Sequence, residues 1–146
     1  MEKLRRADTF NQGFLTGEFT AAALLDMDWH TLTDAKVRDV PAFEAASLAK
    51  MGLIPEILPR YRSTYFAHIV GGYSAGYYSY LWSAVLDADA FQAFKEKGDL
   101  FHPATAAAFR REILAKGGAG DAGAMYRAFR GADPSVEPLL ANRGLK

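Results

Sequence analysis

Apolar residues recur along this chain mainly at the three- and four-residue spacing of helices. A first helix is predicted from Thr16, a candidate N-cap, to about Leu32. Its apolar residues at helical spacing are Phe19, Ala22, Ala23 and Leu24. No window alternates apolar and polar residues with a period of two, so the pattern requires no strand. The chain is therefore predicted to be all-α.

A second helix is predicted after Asp39, with Pro41 in its first turn, where proline is tolerated. It should end at Gly52. Its candidate inner positions are Phe43, Ala46, Leu48 and Ala49.

Prolines and glycines divide the rest of the chain. Pro55 and Pro59 predict a loop before the apolar segment 61–70, and a short β-hairpin near residues 60–70 is an open alternative there. A further helix is predicted from Tyr73 to about Asp87. Later helix starts are predicted at His102-Pro103, Asp121 and Asp133-Pro134. Together these features predict six to eight helices in a single domain, residues 1–146.

Composition narrows the class of protein. Seventeen Lys and Arg balance seventeen Asp and Glu, which removes the general electrostatic case for binding nucleic acid or an anionic membrane. Cysteine is absent, which excludes disulfides, Cys-ligated zinc and a cysteine nucleophile. The N-terminus is charged, and the longest apolar run, around residues 21–25, is too short to span a bilayer. We expect a soluble protein of the cytoplasm, with the periplasm as the alternative compartment.

Tyrosine is the most unevenly distributed residue. Six of the seven tyrosines lie within twenty residues, with His68 among them. In a helix, Tyr73, Tyr77 and Tyr80 would share one face. Phenols beside an imidazole can donate hydrogen bonds to a peptide and to an oxyanion that forms on its carbonyl. The competing interpretation is that such an aromatic stripe packs in the core.

Other candidate motifs are weaker. The three histidines, His30, His68 and His102, lack the close spacing of a metal site. Two pairs of aspartates, 26 with 28 and 87 with 89, have residues two positions apart, which point to different sides of a helix. These pairs are therefore predicted to lie on solvated helix surface.

The segment 61–82, YRSTYFAHIVGGYSAGYYSYLW, resembles the C-terminal signature of the thimet-type (M3) zinc oligopeptidases. Within that family it is most similar to the bacterial peptidyl-dipeptidases, with oligopeptidase A second. The resemblance extends to FNQG at residues 10–13, LLDMDWH at 24–30, YRAFRG at 126–131 and NRGL at 142–145. It therefore covers essentially the whole chain and implies the helical C-terminal portion of a zincin-type peptidase.

The resemblance also implies roles for individual residues. His68 and Tyr80 would stabilise the tetrahedral oxyanion, and Tyr73 would bind the substrate backbone. The loop at Gly71 and Gly72 would flex to admit an oligopeptide, and Tyr77 would support the same face. Arg62 is added on chemical grounds, because a dipeptide-releasing enzyme must recognise a terminal carboxylate and Arg binds it bidentately. A structural ion pair is the alternative for Arg62.

One departure from the family is informative. Its members carry His-Glu-x-x-His and a downstream Glu as the zinc site, and no His-Glu pair occurs here. We therefore expect a C-terminal fragment whose metal site lies in an upstream catalytic portion. Zinc is expected in the full-length enzyme, with none bound to this chain, which alone is predicted to be inactive.

Two further hypotheses remain beside the peptidase fragment. The chain could be a stand-alone helical module that holds peptides without cutting them. It could also associate with itself, because a surface that normally packs against an absent portion would be left apolar, and such patches drive association. A homo-oligomer is the prediction from that argument.

Overall fold

The structure is a computed structural model that describes residues 2–36 and 38–146, with Arg5 described by its backbone alone. These residues form helices and turns and no strand, so the prediction of an all-α fold is confirmed. The α-helices in the described ranges are α1 (Glu2–Thr9), α2 (Gln12–His30), α3 (Val40–Lys50), α4 (Ser79–Glu96), α5 (Pro103–Phe109), α6 (Ala122–Arg130) and α7 (Glu137–Asn142), and a π-helix, Arg110–Leu114, follows α5 directly.

The chain divides into two compact units, one extending to Trp82 and the other starting at Ser83. The first unit contains α1 to α3 and the tyrosine-rich segment, and the second contains α5 to α7. The prediction that residues 1–146 form one domain stays a prediction. No helix in the described part of the chain combines the length and the apolarity needed to cross a membrane.

The start of α2 differs from the prediction. The helix begins at Gln12 instead of Thr16, directly after Asn11, whose backbone is left-handed with φ 59°. Asparagine tolerates that conformation better than most residues, so the chain breaks there between α1 and α2. The charged residues of α1 give little apolar periodicity, which is why the pattern did not predict it.

Helix α3 begins and ends as predicted but presents a different face to the core. Asp39 caps it by accepting the Ala42 N–H at 3.0 Å. Its buried residues are Glu44 and Ser47, whereas the predicted inner residues Ala46 and Ala49 are exposed. The prediction was wrong for these alanines because the Glu44 carboxylate has hydrogen-bond donors in the core that apolar periodicity does not reveal.

The segment predicted as a hairpin alternative forms two short 3-10 turns, Ser63–Tyr65 and Ala67–Val70. Its backbone bonds are local, such as the Ile69 N–H to the Phe66 carbonyl. Ser63 anchors it twice, since its N–H donates to Glu44 Oε1 at 2.5 Å and its Oγ accepts Trp29 Nε1 at 2.8 Å. These anchors favour turns on α2 and α3 over pairing within the segment.

The helix predicted from Tyr73 begins only at Ser79, because residues 71–78 form consecutive turns. The cause is Asp26, which is fully buried on α2. Its carboxylate accepts the N–H groups of Ala75 and Tyr77, each at 3.0 Å, so the Tyr77 N–H does not donate to the Tyr73 carbonyl as it would in a helix. The prediction that Asp26 lies on solvated surface was therefore wrong.

Asp89 in the second unit is also buried, contrary to the prediction. It accepts the Tyr126 hydroxyl at 2.7 Å and Arg130 Nε at 3.2 Å. Burial and this carboxylate raise the pKa of Tyr126, so the phenol stays protonated as the donor. Helix α6 starts at its predicted cap, Asp121, but α7 begins at Glu137, beyond the predicted start near Asp133.

Replacement of Asp26 should test its anchoring of residues 71–78. We expect Asp26→Ala to lower the free energy of unfolding by about 2–4 kcal/mol, because two backbone donors lose their acceptor in the interior. Asp28→Ala is the matched control, since Asp28 is more exposed and meets Lys50 at 3.4 Å. That control should cost about 1 kcal/mol or less. Urea unfolding measures both, and equal losses would contradict the anchoring role.

Candidate functional site

The structure brings together the four aromatic side chains that the sequence singled out. The His68 ring lies 5.9 Å from Tyr73, 5.1 Å from Tyr77 and 6.1 Å from Tyr80, measured between ring centroids. Tyr73 and Tyr80 stack at 5.3 Å. We call His68, Tyr73, Tyr77 and Tyr80 the tyrosine cluster.

The cluster has a buried base and an exposed rim. Tyr77 is only 2% exposed, and its ring packs against those of Phe19, Phe66, His68 and Tyr80. Tyr73 and Tyr80 are 45% and 40% exposed, and His68 is half-buried. The prediction of a packed aromatic stripe therefore fits Tyr77, whereas Tyr73 and Tyr80 are exposed enough to contact a ligand.

Two phenols of the cluster, Tyr77 and Tyr80, have a pKa above the ordinary value. A hydrogen bond with Tyr73 raises the pKa of Tyr80, and desolvation adds to the shift. Burial raises the pKa of Tyr77, and the positive charge of Arg60 offsets part of that rise. At neutral pH these hydroxyls carry their protons and can donate hydrogen bonds.

Gly71 and Gly72 are exposed and lie between His68 and the three cluster tyrosines in the chain. A Cβ added at Gly72 would meet open space, and one at Gly71 would make ordinary contact with the Ala67 carbonyl at 3.6 Å. Neither glycine is required by crowding within the chain itself. The backbone here is accessible to an approaching molecule, and the predicted flexing of this loop stays a prediction.

Arg62 lies outside the cluster contacts and pairs with Glu44, its Nε 2.5 Å from Oε2. Burial would raise the pKa of the Glu44 carboxyl, but hydrogen bonds from Ser63 and Arg62 outweigh it and hold that pKa below its ordinary value. The structural ion pair considered for Arg62 is present. Its binding of a substrate carboxylate stays a prediction.

The described residues do not fit a zinc site. Nowhere in those parts of the chain do three His, Asp or Glu side chains gather closely enough to hold a metal ion. The histidines have other contacts: His30 Nδ1 lies 2.8 Å from Asp26 Oδ1, His68 is in the cluster, and His102 Nδ1 accepts the Thr105 N–H at 3.3 Å.

Two residues important to this arrangement were not predicted from the sequence. Asp26 holds the turn that carries Tyr73 and Tyr77, and Glu44 holds the segment before His68. The only sequence signal was an acidic residue within an otherwise apolar helix pattern, as at Asp26 beside Leu25. A charge at such a position indicates a buried partner elsewhere in the chain.

The sequence comparison assigns the class of protein to which this chain belongs. The profile of peptidase family M3 matches residues 1–145, and the chain belongs to that family. It is 45% identical to the dipeptidyl carboxypeptidase of Escherichia coli over 99% of its own length and 21% of that protein.

Oligopeptidase A proteins are also similar. The one from Haemophilus influenzae is 47% identical over 55% of this chain and 12% of its own length. The probable cytosolic oligopeptidase A of Arabidopsis thaliana is 38% identical over 99% of this chain and 21% of its own length. The chain thus spans about a fifth of the length of the relatives it matches throughout.

The Glu44 pair predicts a pH dependence of stability. Because the folded-state pKa is lowered, its contribution is complete above the ordinary value of 4.5 and is lost as the pH falls through the folded value. Glu44→Gln should therefore lower the free energy of unfolding at pH 7 by about 1–3 kcal/mol.

The difference between wild type and Glu44→Gln should shrink as the pH falls below about 4.5, as measured by urea unfolding across an acid pH series. Glu56→Gln is a control at an exposed glutamate and should leave the profile unchanged. A deficit that stays constant into acid would show that the Glu44 charge does not supply this stability.

Proposed function

We propose that this chain forms the substrate-facing C-terminal part of a zinc metallopeptidase that releases dipeptides from the C-termini of oligopeptides. The observation that supports the proposal best is the tyrosine cluster, in which two exposed phenols, Tyr73 and Tyr80, lie beside His68 and accessible backbone. The match to a dipeptidyl carboxypeptidase along nearly the whole chain supports it independently.

The proposed chemistry assigns the exposed side chains to the peptide. Tyr73 would donate to a substrate backbone carbonyl, and Gly71 and Gly72 would let the peptide approach the main chain. Tyr80 and His68 would donate to the carbonyl oxygen at the cleaved bond, where negative charge develops as the carbon becomes tetrahedral. Tyr77, which is buried, would hold the exposed rings in place.

Release of dipeptides is favoured over internal cleavage by the pattern of identities. The dipeptidyl carboxypeptidase of E. coli matches 99% of the chain at 45% identity. Two oligopeptidase A proteins of Arabidopsis thaliana match the same share at 38% and 37% identity. An oligopeptidase A-like endopeptidase is the alternative for the complete enzyme.

The zinc site is proposed to lie in another part of the enzyme. Zinc, as the resemblance implies, would polarise the carbonyl and activate water, but the described residues do not gather ligands for it. The catalytic portion would therefore be a separate part of the enzyme and the chain's main partner, in the cytoplasm or the periplasm. Exposed apolar side chains such as Phe10 and Phe101, at 79% and 88%, support the proposed self-association of the lone chain.

A hybrid enzyme tests the role of Tyr80. Residues 1–146 would replace the matching fifth of the E. coli dipeptidyl carboxypeptidase. We expect the hybrid to release dipeptides and Tyr80→Phe to lower its kcat by about 10²–10³, because one donor to the oxyanion is lost. Steady-state kinetics on an N-blocked oligopeptide gives the measurement.

Tyr78→Phe is the matched control for Tyr80→Phe, since Tyr78 is a neighbouring tyrosine that is 53% exposed. Its kcat should stay within about twofold of the parent hybrid, because it lies outside the tyrosine cluster. A folded hybrid without peptidase activity, or equal losses in the two variants, would contradict the proposed role.

The lone chain tests the proposed division of labour. Elemental analysis after incubation with zinc should find no stoichiometric metal, and an N-blocked oligopeptide should stay intact, because the ligands do not converge in the described residues. Stoichiometric zinc with dipeptide release would refute the proposal. Micromolar peptide affinity without cleavage would instead favour the stand-alone binding module.

A further inference from the structure

Asp26, the buried carboxylate that holds residues 71–78, has a further neighbour on its own helix. His30 is the last residue of α2 and lies one turn after Asp26, so the two side chains share a helix face. The His30 Nδ1 atom is 2.8 Å from Asp26 Oδ1 and 2.9 Å from the Asp26 main-chain oxygen, with which it forms a hydrogen bond. The proposed function gives this contact no role.

The contact determines which nitrogen of the His30 ring carries a proton. A main-chain carbonyl oxygen can only accept a hydrogen bond, so Nδ1 must be the donor and must be protonated. In a neutral imidazole the other nitrogen, Nε2, is then without a proton. The side chain of Asp26 is fully buried. The Nδ1–H group therefore lies beside a carboxylate oxygen that water does not reach.

His30 favours one orientation of the Asp26 carboxylate. Oδ1 accepts the Ala75 N–H and Oδ2 accepts the Tyr77 N–H, each at 3.0 Å, and rotation of the carboxylate would weaken both bonds. A proton on Nδ1 attracts Oδ1 and opposes that rotation, and the attraction is stronger in the protein interior than in water. The orientation that His30 favours is thus the one that the turn requires.

The turn over residues 71–78 in its course places two members of the tyrosine cluster. Tyr73 stacks on Tyr80 at 5.3 Å, and the Tyr77 ring lies 5.1 Å from that of His68. A misplacement of about 1 Å in a reacting or binding group can lower a rate about 10²-fold. A residue that fixes this turn therefore affects the cluster without touching a ligand.

We propose that His30 is a positioning residue for the tyrosine cluster. Its Nδ1–H group holds the Asp26 carboxylate in the orientation that fixes the turn over residues 71–78. The consequence for catalysis rests on the proposed function, whereas the effect on the turn does not.

NMR of the 146-residue chain with ¹⁵N-labelled histidine tests the position of the proton. Spectra that correlate the ring nitrogens with the ring protons are recorded at about pH 9, well above the ordinary imidazole pKa of about 6.5. The His30 signals are those that disappear in His30→Leu. We expect Nδ1 to carry a proton. A bare Nδ1 would overturn the inference, because it could not donate to Asp26.

Two variants test the effect on the turn by amide hydrogen exchange. His30→Leu removes the donor, whereas His30→Asn retains a side-chain N–H near the position of Nδ1. We expect His30→Leu to speed exchange of the Tyr77 N–H by about tenfold or more, and His30→Asn to stay within about threefold of wild type. The N–H of Tyr126, a buried tyrosine in the second unit, is the control and should not change.

Equal exchange of the Tyr77 N–H in wild type and His30→Leu would overturn the positioning role. Faster exchange of the Tyr77 and Tyr126 N–H groups to the same extent would also overturn it, because the effect would then not be confined to the turn. Failure of His30→Asn to restore slow exchange would show that the donor at Nδ1 is not what fixes the turn.

The hybrid enzyme separates this inference from the proposed function. In the hybrid, we expect His30→Leu to lower kcat by about tenfold or more and His30→Asn to keep it within about threefold of the parent. An active parent with an unchanged kcat in His30→Leu would overturn the role of His30 while the proposed function stood. A folded parent without activity would contradict the proposed function, and the NMR measurements would still decide the effect of His30 on the turn.

Discussion

The tyrosine cluster depends on one buried carboxylate. Asp26, near the C-terminal end of α2, accepts the N–H groups of Ala75 and Tyr77 and so opposes the extension of α4 back through residues 71–78. The turn brings Tyr73 back to stack on Tyr80, from the first turn of α4. An aspartate in a helix thus determines the shape of a loop some fifty residues later in the chain.

A second buried carboxylate acts in the same way on the preceding segment. Glu44 of α3 accepts the Ser63 N–H and pairs with Arg62. Burial of a carboxylate costs free energy unless its oxygens accept hydrogen bonds. The burial of Asp26 and of Glu44 is therefore favourable only while the loop that supplies the donors keeps its conformation. The helices and the loops of this unit therefore stabilise each other. Asp26 fixes the segment that follows His68, and Glu44 fixes the segment that precedes it.

The sequence was sufficient for the fold class, for the helix starts at Asp39 and Asp121, and for singling out His68 and the tyrosines that the structure brings together. Tyr73 and Tyr80 do lie together, but a turn over residues 71–78 brings them together and not the predicted helix from Tyr73. What periodicity could not reveal is a polar contact across the chain, because the partners of Asp26 and Glu44 lie far from them in sequence. The resemblance to M3 peptidases predicted more about function than any local pattern did, because it rests on whole segments of sequence.

The left-handed backbone of Ala75, with φ 56°, limits which sequences can build this turn. Residues with a Cβ adopt that conformation at a cost of about 1–2 kcal/mol, and β-branched side chains are especially disfavoured. The hydrogen bond from the Ala75 N–H to Asp26 offsets that cost. Glycine, asparagine or a small residue is therefore compatible with this position, while valine or isoleucine would oppose the turn even though no side chain from Ala75 takes part in the cluster.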